Sequence, residues 1–183
     1  MRQLLFCSLV ALACFGVFSL PQTSAAPEPD QPDKPNLSGI WILDLEASTS
    51  VGPLMKQIGA GLLDRTYASV IKLKATVHQT EQVLTIAARG PGFALDQTLY
   101  LDGRDDPSSL QILGATSVNT KTVWSKHGKK IVETHHIRTK KGKEGELTIK
   151  RNLIEEGKAV EVVYTLKLEE EPTPTSARQI WRK

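Results

Sequence analysis

The chain has 183 residues, 23 of them basic and 20 acidic, a formal net charge of +3 and a 40% hydrophobic fraction. That fraction supports a packed globular core and excludes a largely disordered chain. So balanced a charge lacks the strong basic footprint expected of a nucleic-acid binder.

The N-terminal stretch is set aside before any fold is considered. Arg2 provides a positive start, Leu4 to Leu20 is nearly continuous apolar sequence, and Thr23-Ser-Ala-Ala26 offers small residues for cleavage near Ala25 or Ala26. This is the pattern of a secretory signal peptide over residues 1–25, and it implies a secreted or periplasmic protein. A membrane-spanning helix is the competing reading, although the apolar run is marginal in length for a span. A lipoprotein signal around Cys14 fits less well, because apolar residues continue after the cysteine. Cys7 and Cys14 both lie in this segment, so the remaining chain, at about +2, has neither thiol nor disulfide and depends on its hydrophobic core. Residues 26–35, with prolines at 27, 29, 32 and 35, read as an extended tether. The folded domain is expected over residues 36–183, a length suited to one core.

Leu37 to Glu46 alternates as a first strand, with Leu37, Gly39, Trp41, Leu43 and Leu45 on one side. Leu54, Met55, Ile58 and Leu62 then recur at helical spacing after Pro53, while Gly59 and Gly61 predict two short helices or a broken one. From Ala68 the chain reads as strands. Ser69–His78 places Ile71, Leu73, Ala75 and Val77 on one face, and shorter strands follow at Val83–Arg89, Phe93–Leu101 and Leu110–Ala115. Ser117–Ser125, Lys129–Thr139, Glu146–Ile154, Ala159–Glu169 and Ser176–Lys183 complete the set. Turn chemistry separates them at Gly90-Pro-Gly92, Asp102-Gly103, Lys126-His-Gly128, Lys140-Lys-Gly142 and Glu155-Glu-Gly157. About ten short strands joined mostly by tight hairpins predict an all-β sandwich or barrel, and an up-and-down barrel also removes exposed edges.

The order of elements resembles the intracellular lipid-binding family, that of the fatty-acid- and retinoid-binding proteins, and more broadly secreted bacterial lipocalin-like (calycin) barrels. The residues that carry the resemblance are Gly39-Ile-Trp41 in the first strand, Leu54-Met-Lys-Gln-Ile-Gly-Ala-Gly61 with Arg65 after it, and Val83-Leu-Thr-Ile86. Thr148-Ile-Lys-Arg151 with Gly157-Lys158, and the closing Arg178-Gln-Ile-Trp-Arg-Lys183, complete the match. The resemblance implies a ten-stranded antiparallel up-and-down β-barrel with a helix-turn-helix lid after the first strand. It also implies that Arg151 occupies the position of a ligand-binding arginine, whereas Gln179 and Trp181 stand where relatives carry a second arginine and a tyrosine. That departure puts a fatty-acid carboxylate in doubt, and the signal peptide separates the chain from cytosolic relatives.

Glu146–Ile154 is the stretch with the most to say about a site. Leu147, Ile149, Arg151 and Leu153 share one face, so a cation joins three apolar residues pointing inward, where it needs an anionic or polar partner. Either Arg151 clamps a ligand anion, or it sits in an internal ion pair or is a water-solvated arginine that merely tolerates its site. Gln179 and Trp181 share the inward face of the last strand, with Trp181 as core residue or ligand contact. On Ser117–Ser125 the inward candidates are Val118, Thr120, Thr122 and Trp124, a face too polar for a tight core. His135 and His136 point to opposite faces and cannot both bind one internal metal without distortion, so no metal site or cofactor is expected. No Gly-x-Ser-x-Gly elbow is present, and the serines have no evident histidine partner, so no catalytic residue is assigned.

The expectation is a non-catalytic, exported, monomeric barrel that binds a small hydrophobic ligand, lipid or fatty-acid-like, in an internal cavity. Leu54, Met55, Ile58 and Leu62 would cover its mouth. Ile71, Leu73, Leu147 and Ile149 would line it, with Arg151 and Gln179 orienting a polar ligand end. The rivals are a filled barrel serving as an envelope protein-interaction module, and an enzyme built on the barrel.

Overall fold

Strict two-residue alternation of burial builds the wall. In the strand Glu144–Ile154, Leu147 and Ile149 are buried between half-buried Thr148 and exposed Lys150. The computed structural model describes residues 34–107 and 110–183, so the expected signal peptide and most of the tether lie outside the described residues.

In chain order the elements are β1 (Gly39–Asp44), α1 (Gly52–Gln57), α2 (Leu62–Val70), β2 (Lys74–Gln79), β3 (Val83–Gly90), β4 (Phe93–Tyr100) and β5 (Asp102–Asp106). After these come β6 (Leu110–Ile112), β7 (Ala115–Trp124), β8 (Ile131–Arg138), β9 (Glu144–Ile154), a 3-10 turn (Glu155–Gly157), β10 (Ala159–Leu168) and β11 (Thr175–Arg182). Ten strands follow one antiparallel path, β4-β3-β2-β1-β11-β10-β9-β8-β7-β5, and short β6 pairs only with β7. β1 joins the two halves, with Trp41 opposite Ala75 of β2 and Leu43 opposite Trp181 of β11. Among the described residues no ladder joins β4 to β5, so the barrel is nearly closed. The fold is the expected all-β antiparallel barrel with two short helices after the first strand.

The helical region divides where the glycines predict. Gly59 has φ +89°, a conformation that ends α1, and Gly61 is the N-cap of α2. Leu54, Met55 and Ile58 are buried against the barrel. By contrast α2 buries no residue, and Leu62 is 68% exposed. Leu62 therefore presents its side chain to solvent, away from the interior it is expected to face.

Three strand boundaries differ from the sequence expectation. Residues 69–70 close α2, with the Ser69 hydroxyl donating to the Thr66 carbonyl at 2.7 Å, and β2 begins at Lys74. Asp102-Gly103 belongs to β5, where the register opposite β7 shifts between Asp102 and Asp105 and Gly103 has φ +77°. Leu110–Ala115 is broken by a two-residue turn at Leu113-Gly114, both with positive φ, so β7 starts at Ala115. A second register shift, between Ser117 and Asn119, turns Val118 outward, 45% exposed, and corrects its inward placement. Among the described residues no helix is long and apolar enough to cross a membrane.

Candidate binding site inside the barrel

The inward face of β8 is built from Ile131, Glu133, His135 and Ile137, all buried. Apolar residues at both ends fix which face turns in, and the two polar residues between them are carried along. On neighbouring β9, Ile131 lies opposite Arg151 and Glu133 opposite Ile149, so Glu133 and Arg151 are diagonal neighbours on one wall. The Arg151 guanidinium forms an ion pair with the Glu133 carboxylate. The question of what holds the buried arginine thus has an answer within the chain. Sequence reasoning missed Glu133. Its signal was an acid between Ile131 and Ile137 at strand spacing.

Other donors converge on the same carboxylate. Gln97 of β4 donates from Nε2 to Glu133 Oε2 at 3.3 Å, and His135 Nε2 lies 3.2 Å from that oxygen. His135 Nδ1 is 2.9 Å from the Thr120 hydroxyl and 3.3 Å from the Ser117 hydroxyl. Burial lowers the His135 pKa from 6.5 to about 4, so the ring is neutral near pH 7. A neutral ring that donates at Nε2 to Glu133 Oε2 accepts at Nδ1 from Thr120, so both ring nitrogens are partnered. Burial pulls Arg151 below its ordinary value, yet a guanidinium stays protonated in proteins near neutral pH. Burial also pushes the Tyr164 phenol up, so it stays neutral and donates to Gln179 Oε1 at 3.0 Å.

The expectation that no serine has a histidine partner is corrected, because Ser117, His135 and Glu133 follow one another in hydrogen-bond order. All three are fully buried and none lines either of the two cavities described below. A nucleophile needs access to substrate, and this chain of groups has none. It serves as a hydrogen-bonded polar cluster in the wall.

A cavity of about 90 Å³ lies inside the barrel, bounded by Leu37, Trp41, Leu84, Ile86, Val160 and Val162 among others, with Gln97, Arg151, Tyr164 and Trp181 as its polar members. Two indoles there differ. Trp41 donates to the Leu37 carbonyl at 2.9 Å, whereas the Trp181 N–H is buried with no acceptor. A second cavity of about 160 Å³ is bounded by the 45–51 segment, Ala68 and Ser69 of α2, and Gln179.

The structure therefore brings two of the sequence candidates, Arg151 and Trp181, to the apolar cavity, and sets Gln179 at the second one. Leu54 and Ile58 are buried at α1, and Ile149, Thr120 and Thr122 are buried in the wall; none of the five borders either of these two cavities. Ile71 and Leu73 pack beside Gly90 on the connector before β2. Trp124 is half-buried, with the Lys34 ammonium 5.7 Å from its ring. His135 points in and His136 out, and no cluster of three metal-ligating residues occurs among the described residues.

No protein-family model matches the chain, and no curated protein matches its sequence. Solved structures do match its fold. A Schistosoma mansoni fatty acid binding protein in complex with arachidonic acid superimposes with a TM-score of 0.62 at 14% identity, covering 83% of this chain and 98% of that one. The REP1-NXSQ fatty acid transporter gives 0.60 at 15% identity, covering 80% and 95%, and human cRBP IV gives 0.58 at 16%, covering 81% and 98%. The chain is thus similar in fold to intracellular lipid-binding proteins.

Proposed function

We propose that the protein is an exported carrier that holds a small hydrophobic molecule inside the barrel without transforming it. The observation that carries this reading is the interior cavity. Its wall is mainly apolar with a few polar groups, which is the chemistry of a site that buries a chain and orients its end. The similar structures named for fatty acid binding and transport add support from the fold alone. The sealed position of Ser117, His135 and Glu133 supports binding without catalysis. Residues 1–25 support export, and N-terminal sequencing of the released protein tests it, with a start near residue 26 as the expected result. Sedimentation measurements test the proposed monomer.

A cavity of about 90 Å³ exceeds what one water needs but falls below the roughly 300–1,000 Å³ of drug-sized sites. Binding a long chain therefore requires the wall to yield. The same small volume favours a second reading, a filled barrel that acts as a protein-interaction module. Native mass spectrometry of freshly purified protein, with uptake of the neutral dye Nile red after delipidation, separates the two. A co-purifying apolar molecule or saturable dye uptake supports the carrier. Bare protein that takes up no dye supports the filled barrel.

A further inference from the structure

We infer that the molecule held in this cavity ends in a neutral oxygen, a hydroxyl or an ester or aldehyde carbonyl, and not in a carboxylate. The inference rests on the carrier reading and narrows it to a ligand class.

Arg151 is the one cationic side chain among the cavity's lining residues, and Glu133 is already bound to it. The pair presents no net charge to a guest. Glu133 is also held from other directions by Gln97 and His135, so a ligand carboxylate cannot displace it without orphaning those donors. A carboxylate that lies beside Glu133 instead gives up its hydration, meets a like charge and finds no unopposed cation. A neutral oxygen meets none of these penalties.

A second observation points the same way. The Trp181 ring borders the cavity, is 9% exposed, and its N–H is buried with no acceptor. A buried donor left unpaired is costly, and a hydroxyl or carbonyl oxygen satisfies it without introducing charge. Tyr164 leaves little for an anion, because its hydroxyl proton is committed to Gln179.

The test is displacement of Nile red at neutral pH by decanol, methyl decanoate and decanoate, which share one chain length, from the wild type and two variants. In the wild type the alcohol and the ester are expected to compete at concentrations on the order of tenfold below decanoate. Glu133→Gln frees the Arg151 charge and should raise the affinity for decanoate relative to decanol on the order of tenfold. Trp181→Phe keeps an aromatic ring but removes the N–H, and should weaken the neutral pair several-fold, by about the worth of one hydrogen bond, while leaving decanoate unchanged.

Decanoate binding as tightly as decanol in the wild type overturns the inference and leaves the carrier intact. A neutral preference that neither variant alters also overturns it, because partitioning alone then explains the order. Where Glu133→Gln fails to fold, Trp181→Phe decides. No dye uptake and no competition by any of the three compounds removes the carrier reading and this inference with it.

Discussion

Replacing Glu133 by glutamine tests the core of the structural argument. The carboxylate is fully buried and the Arg151 side chain is 12% exposed, so the substitution leaves a guanidinium inside the barrel without its counter-ion. Removing one partner of a buried pair costs about 3–5 kcal/mol. The lower end applies here, because Arg151 borders a cavity that water can enter. At a urea slope of about 2 kcal/mol per molar, a loss of about 3 kcal/mol lowers the unfolding midpoint by about 1.5 M. Arg151→Met alone should cost a similar amount by stranding the acid. The double variant Glu133→Gln/Arg151→Met removes both charges and should lie within about 1 kcal/mol of wild type, giving a coupling of about 5 kcal/mol. Urea denaturation of the four proteins measures all three differences. Single variants within about 0.5 kcal/mol of wild type, or a double variant that equals their sum, would refute the pairing as the reason these residues are tolerated inside.

Three further outcomes follow from other parts of the fold. His135 has a pKa near 6.5 when unfolded and about 4 when folded, so the unfolded state takes up its proton first as pH falls. Stability that is full above pH 6.5 should drop by about 3 kcal/mol by pH 4, at about 1.4 kcal/mol per pH unit, and His135→Gln should flatten that part of the denaturation profile. A Cβ at Gly145 would lie 2.5 Å from the Lys167 carbonyl and 2.9 Å from the Leu168 Cα, both backbone atoms. Gly145→Ala should therefore lower thermal stability by about 1–3 kcal/mol through a forced shift of β9 against β10. Leu63 on α2 is 84% exposed, and Leu63→Gln should change stability by less than about 0.5 kcal/mol in the same measurement.

The sequence was informative wherever a local rule decides the structure. Leu147, Ile149 and Arg151 share the inner wall as their spacing requires, and Gly59 with Gly61 divides the helices. It was silent where distant residues decide. Glu133 is acceptable inside only because Arg151, Gln97 and His135 reach it from three strands, and no window along β8 contains Arg151 or Gln97. The register shift between Ser117 and Asn119 inverts Val118, and no residue type near it announces such a shift. Asp102-Gly103 reads as a turn by its Asp-Gly pair, yet a charged strand is the ordinary device at the edge of a sheet, which is where β5 lies. The sequence placed Leu62 on a helix but could not show that α2 would lie with its apolar residues outward.

Among the described residues no ladder of backbone hydrogen bonds joins β4 to β5, which leaves a seam in the wall. Spreading the wall there breaks no ladder among the described residues, whereas parting any other neighbours along the path breaks a row of backbone hydrogen bonds. A guest too bulky for the resting interior would find its cheapest way in along that line. Amides of Phe93–Tyr100 that face β5 should accordingly exchange with solvent deuterium well before those of β9, which is laced to a neighbour on each flank.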